Sequence, residues 1–196
     1  MLRVVTLTYR PIELIELPSL VEDPFLFPSN EATLLQIIGL CGSFLTVKDD
    51  AIYFVHQLSK DFLTSGGDFS RKLYPDGTSY GRRAIAEQAI NAISKVLRED
   101  IYELLKPGIY IHNITVPDND PWRAVKYACI HWTSHIKDAM RNATGCKAQS
   151  YLEDEGLIHG LFKQHFLPWI ESLSLLGSGY ASIKFTPQLA EVAETL

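Results

Sequence analysis

The stretch that most limits how this chain can fold is residues 39–63, Gly39-Leu40-Cys41-Gly42-Ser43-Phe44-Leu45-Thr46-Val47-Lys48-Asp49-Asp50-Ala51-Ile52-Tyr53-Phe54-Val55-His56-Gln57-Leu58-Ser59-Lys60-Asp61-Phe62-Leu63. Two strand-like runs, Ser43–Lys48 and Ala51–Gln57, flank Asp49-Asp50, a pair suited to a tight turn, so a β-hairpin is expected here. Alternation puts Ile52, Phe54 and His56 on one face of the second strand and Tyr53 and Val55 on the other. A helix opens at Ser59–Leu63. The hairpin therefore ends on a single imidazole where a strand hands over to a helix, a place from which a side chain can report on a bound group. Judged by its surroundings alone, His56 reads as a packed, hydrogen-bonded residue.

Around this hairpin the patterning is helical. Leu2, Val4, Val5 and Leu7 read as the tail of a helix whose beginning is missing, which suggests a fragment of something longer. Arg10-Pro11-Ile12-Glu13-Leu14 is a break followed by a helix start, and Leu14, Leu17 and Leu20 recur at i, i+3, i+6 in a short helix limited by Pro18. Residues 22–30 form a loop. Leu34, Leu35, Ile37, Ile38 and Cys41 make a second helix, stopped by Gly42. The order is helix, helix, helix, two-stranded wing, helix, which is that of a winged helix.

Residues 65–80, with Ser65-Gly66-Gly67-Asp68 and Pro75-Asp76-Gly77, read as a linker between domains. A long amphipathic helix or helix pair is expected from Arg82 to Leu105, with Ile85, Ala89, Ile93, Val96, Leu97, Ile101 and Leu104 as its stripe. Residues 109–119 are an extended connector. Asp120 is expected to cap the next helix, with Pro121 in its first position. Trp122, Val125, Cys129, Trp132 and Ile136 follow a 3-4-3-4 spacing and form an aromatic seam. After a loop at Asn142–Ser150, a helical region from Tyr151 to Leu176 buries Leu157, Leu161, Phe162, Phe166, Trp169, Ile170, Leu173 and Leu176, with Pro168 kinking it or starting a new helix. Pro187 opens a short terminal helix in the tail, 181–196. The fold class is mainly α with a small β-hairpin: a winged-helix domain at 1–64, the linker, and an α-helical domain at 81–180.

Composition narrows the function classes. The 196 residues carry a net charge of −5, which argues against a dedicated nucleic-acid binder. Cys41, Cys129 and Cys146 are odd in number and widely spaced, so they read as reduced thiols of a cytoplasmic protein, neither a disulfide framework nor a zinc site. No apolar run approaches the ~18 residues of a membrane span.

Chemistry-bearing motifs are few. Gly66-Gly67-Asp68-Phe69-Ser70-Arg71-Lys72 fails the spacing of a P-loop, so the chain by itself is not expected to hydrolyse a nucleotide. His131 and His135 lie at i, i+4, a metal-holding spacing, but no third ligand accompanies them, and they read as surface or packing residues. Cys129 falls in the apolar seam, where burial is the simpler reading, and neither it nor Cys146 has an evident base to make it a nucleophile. The carboxylate pairs Asp49/Asp50 and Asp154/Glu155 read as a turn and a solvated helix start. Trp122, Trp132 and Trp169 read as core and not as a ligand cage.

Six stretches taken in order resemble a known region. They are Tyr9-Arg10-Pro11-Ile12 with Glu16-Leu17; Cys41 to Asp50; Ile52 to Gln57 with Lys60-Asp61-Phe62-Leu63; Asp100-Ile101-Tyr102; Tyr127-Ala128-Cys129-Ile130-His131-Trp132 with His135; and Trp169 to Leu176. Together they resemble the region C-terminal to the NACHT nucleotide-binding core in fungal NOD-like receptors, STAND-class proteins of the heterokaryon-incompatibility type. The resemblance covers roughly residues 1–176. It implies a non-catalytic regulatory module of a signalling NTPase involved in signal transduction and innate immunity. It also implies that His56, in Phe54-Val55-His56-Gln57, faces the β-phosphate of ADP in the resting state once a NACHT core is present. No cofactor is implied for the chain in isolation, and ADP or ATP for the parent. The implied partners are the NACHT core, a C-terminal repeat domain and further copies in an oligomer, with neither nucleic acid nor membrane. Leu58 departs from the family, which usually has Ser there, and the P-loop, the Mg²⁺-binding acidic strand and the sensor residues are not in this chain.

Three rival readings stand beside this one. A winged helix could bind DNA, but the candidate recognition helix Glu31–Gly39 carries no Lys or Arg and is a poor phosphate or base reader. An autonomous enzyme would need a nucleophile, base and orienter, and no such set is visible. A truncated receptor remnant without separate activity is the third.

Overall fold

A computed structural model of the chain describes residues 1–22, 31–104, 109–141, 155–180, 183–185, 187 and 190. The chain is mainly α-helical with one small antiparallel sheet. The N-terminal part runs α1 (Leu2–Leu7), β1 (Ile12–Glu13), a 3₁₀ helix (Leu14–Leu20), α2 (Glu31–Leu40), β2 (Leu45–Lys48), β3 (Ala51–Phe54) and α3 (Gln57–Thr64). The hairpin expected from the sequence is present, with Asp49 at φ +50° and Asp50 at φ +60° in its two-residue turn. Both central residues with positive φ give the turn the twist that β-strands need, and Asp tolerates that region better than most residues.

Two expectations for this part change. The segment Ile12–Glu13, read as a helix start, is a third strand, giving the sheet order β1-β3-β2 with Ile12 opposite Ile52 and Glu13 opposite Ala51. A two-residue strand has no periodicity to read. It forms because a hairpin alone is marginal in water and because Ile12 can join Leu45 and Ile52 in the core, all three being buried. The second strand also ends earlier than expected, at Phe54, so His56 does not share a strand face with Ile52 and Phe54. The helix over Leu14–Leu20 is 3₁₀. Its apolar spacing of three, Leu14, Leu17 and Leu20, matches three residues per turn, so all three bury one above another.

Residues 65–80, expected as a linker, hold α4 (Asp68–Leu73) and the first turn of α5 (Gly77–Val96), with Tyr74 buried between them. The helix α5 thus starts before Arg82 and ends well before Leu105. Leu97 and Ile101 of its expected stripe are buried on non-helical backbone. Within 109–119, Ile111–Asn113 forms one 3₁₀ turn. Asp120 does not cap the long helix. Its Oδ1 accepts from the Trp122 N–H (2.9 Å) and the Tyr102 hydroxyl (2.8 Å), and α6 begins later, at Lys126–Arg141. The last long helix, α7 (Leu157–Leu175), runs through Pro168 as one element. Gly179, Tyr180, 183–185 and Pro187 are helical, and the residues on either side of Pro187 lie outside the described ones.

One continuous apolar cluster runs from Val5 and Leu7 through the sheet to Trp122, Trp132, Trp169 and Leu173. The core therefore spans the expected boundary at 65–80. At the contact of α1 with α5, Gly81 lets the two elements approach closely: a Cβ there would lie 2.8 Å from Leu7 Cδ1, so the Leu7 side chain would have to shift. The three tryptophans are 0–1% exposed. The Trp169 indole donates to the Cys129 carbonyl at 3.0 Å.

Candidate functional site

The sequence leads first to His56. It occupies the N-cap of α3 in extended conformation (φ −134°, ψ 140°), and its side chain makes no capping hydrogen bond. It is exposed, not packed. The hairpin delivers it there: Val55 N–H donates to the Phe44 carbonyl at 2.9 Å, and the chain then turns into the helix, with Ser59 N–H on the His56 carbonyl at 2.9 Å. The first N–H groups of any helix lack intrahelical partners and attract negative charge. His56 places an exposed imidazole, free of a capping bond, beside that helix start. Leu58, Val55 and Phe62 are exposed nearby at 77, 42 and 53%.

A second constellation joins two of the six stretches, Tyr9-Arg10 with Glu16 and Tyr127 with His131 and His135. Glu16 is 0% exposed. Its Oε1 accepts from Arg10 Nη2 (2.6 Å) and the Tyr127 N–H (2.9 Å), and its Oε2 from Arg10 Nη1 (2.9 Å) and the Glu13 N–H (2.9 Å). Four donors satisfy the carboxylate, as a buried charge demands. Since Tyr127 lies in the first turn of α6, Glu16 supplies from 111 residues away the acceptor expected of Asp120. The Arg10 guanidinium also lies 5.2 Å from the centre of the Tyr127 ring.

Behind this clamp sits an aromatic and histidine layer. Tyr127 OH accepts the Tyr9 N–H at 3.2 Å and lies 2.7 Å from His135 Nε2. Burial holds the Tyr127 phenol above its ordinary range, so it keeps its proton beside Nε2. Burial, then the Arg82 charge, hold His135 well below the ordinary imidazole value. The ring is neutral, and its buried Nδ1 has no partner. His131, tilted against Tyr127 with ring centres 4.6 Å apart, is pushed down to about 4 by burial and by Arg10. The Tyr9 hydroxyl donates to Asp138 (2.8 Å), which Arg82 also reaches at 3.2 Å.

The other sequence candidates separate from these sites. The His131/His135 pair serves this packing layer, and among the described residues no group of three potential metal ligands forms. Cys129 is fully buried, and burial pushes its thiol up to about 12, so it is a packing residue. Asp49 and Asp50 form the hairpin turn, where Asp50 lies 3.6 Å from Arg123. Cys146 and Asp154 lie outside the described residues, and Glu155 is exposed. The segment Gly66–Lys72 ends in α4 and not in a strand–loop–helix frame. No helix among the described residues is long and apolar enough to cross a membrane.

Reading residue by residue missed the role of Glu16. Its signal is a lone acid inside the apolar run Leu14-Ile15-Glu16-Leu17 six residues after Arg10. Such a residue must be paired if it is buried.

No family profile matches the chain, and no solved structure matches it. The vegetative incompatibility protein HET-E-1 of Podospora anserina is 41% identical to it over 177 residues, 85% of this chain. The chain spans 13% of that relative's length. An identity this high over nearly the whole chain makes it a relative of one region of the fungal NACHT-type heterokaryon (vegetative) incompatibility proteins.

Proposed function

We propose that this chain is a non-catalytic regulatory module of a NACHT-type signalling NTPase, acting in the cytoplasm. In this reading residues 1–64 form a winged helix, and His56 contacts the β-phosphate of ADP in the resting state once the NACHT core is present. The order helix–strand–helix–helix–hairpin, with β1 on the free edge of β3, supports the winged-helix assignment. The observation that carries the functional reading is the position of His56: exposed, at the N-terminus of α3, with no capping bond of its own. A phosphate there meets an imidazole donor and the unpaired N–H groups of a helix end together. A nucleotide held between two domains favours whichever arrangement lets both touch it. The remaining partners, a repeat domain and an oligomer, follow from the same reading.

Calorimetric titration of ADP into the 196-residue chain, alone and mixed with the parent's NACHT core, tests this. We expect binding only with the core. A hydrogen bond to a charged group contributes about 1.5–3 kcal/mol, so His56→Ala weakens binding about 10- to 100-fold. Equal affinity for the variant and the parent would remove the assignment of His56. The DNA-binding alternative gains nothing from the structure, since α2 presents Glu31, Leu35, Gln36 and Leu40 to solvent and carries no cation.

A further inference from the structure

We propose that Glu16 is a positioning residue for His56, a buried carboxylate through which the N-terminus of α6 sets the place of the hairpin and of the helix that follows it. This rests on the reading of His56 given above. The geometry runs along the chain on both sides of the histidine. On the strand side, Glu16 holds the Tyr127 N–H of α6 and, with its other oxygen, the Glu13 N–H of β1. Strand β1 pairs with β3, Ile12 to Ile52 and Glu13 to Ala51, and β3 ends at Phe54, just before His56.

The turn entering α6 grips the same hairpin a second time. Arg123 reaches Glu13 Oε2 at 2.9 Å and Asp50 Oδ2 at 3.6 Å. On the helix side, Lys60 of α3 donates to the Thr8 carbonyl at 2.8 Å, and the next residue, Tyr9, donates its N–H to Tyr127 OH. The elements before and after His56 are thus both referred to one helix, and among these groups Glu16 is the fully buried charge, its bond to the Tyr127 N–H buried with it. Exposed pairs such as Arg123–Glu13 contribute little alone, whereas removing one partner of a buried, fully bonded ion is severe.

Glu16→Gln is the informative change. It keeps the shape but replaces one acceptor oxygen with an NH₂ group that faces N–H donors. Arg10→Lys is the second variant, leaving Glu16 intact but removing the two-pronged contact. Both would be made in the full chain. Tryptophan fluorescence serves as the check on folding, because Trp122, Trp132 and Trp169 all lie in the helical part. Amide exchange would then be read at Ile52–Val55 and along α3, and ADP binding in the presence of the NACHT core.

We expect at least about tenfold faster exchange at those amides with an intact tryptophan signal. We also expect about tenfold weaker ADP binding for Glu16→Gln, with no further loss when it is combined with His56→Ala. Unchanged exchange in both variants would overturn the coupling, and additive losses of affinity would overturn its action through His56. If His56→Ala leaves ADP binding intact, the nucleotide reading fails and the positioning role with it, while faster exchange would still show that Glu16 ties the hairpin to α6.

Discussion

Acid should loosen this protein through His131 and His135. Both are neutral in the folded chain, enclosed by Tyr9 and Arg10 of the N-terminal segment, Arg82 of α5, and Tyr127 and Asp138 of α6. Their folded pKa values lie below the ordinary imidazole value of 6.5, so the unfolded chain binds more protons than the native one between the two. Stability from this source is complete above about pH 6.5 and is lost as pH falls toward about 4. With a folded value of about 4 for His131, the linkage relation gives about 2 kcal/mol lost by pH 5, less what solvent at its open edge restores. His135 acts in the same direction, because its ring is fully buried and its Nδ1 has no partner. A loss of about 2 kcal/mol from His131 alone is a sizeable part of the 5–15 kcal/mol typical of a domain. Urea unfolding followed by tryptophan fluorescence at pH 7.5, 6.5, 5.5 and 5.0 reads this directly. His131→Gln, which cannot take up a proton, should remove about 2 kcal/mol of the loss reached by pH 5. A midpoint that stays level from pH 7.5 to 5.5, or a slope indifferent to His131→Gln, would refute the reasoning.

Two further outcomes follow from burial alone. On β3, Ile52 is 0% and Tyr53 39% exposed; Ile52→Ala should cost about 2–5 kcal/mol and Tyr53→Ala less than about 1 kcal/mol, measured as shifts in the urea midpoint, and the reverse order would mean the strand register is off by one residue. Iodoacetamide should label Cys41 in the native chain and Cys129 only on unfolding, as read by peptide mass spectrometry, since the Cys129 thiol is buried and raised to about 12.

How much of this could be read in the sequence depends on the range of the interaction that decides each feature. The seam of Trp122, Val125, Cys129, Trp132 and Ile136 was legible because one apolar face repeats along the chain, although its first members lie on the turn before α6. The hairpin was legible because its turn residues are adjacent. Where burial and backbone part company, the pattern misled: Leu97 and Ile101 extend the stripe of α5 into the core without being helical. The strand β1 was illegible, since two residues show no period and the strand exists only because β3 offers an edge. His56 was found, but its exposure was not, because strand alternation was carried two residues beyond the last paired one.

The sequence by itself determined the helical class, the hairpin with its Asp49-Asp50 turn, and the tryptophan core. Each of these follows from side-chain spacing within about 20 residues, the reach over which backbone geometry fixes which side chains share a face. The tertiary structure alone decided that β1 completes the sheet, that Glu16 and not Asp120 accepts from the first turn of α6, and that one core runs across the expected boundary. A buried carboxylate needs donors whatever their distance along the chain, and only the folded chain brings the Tyr127 N–H to Glu16.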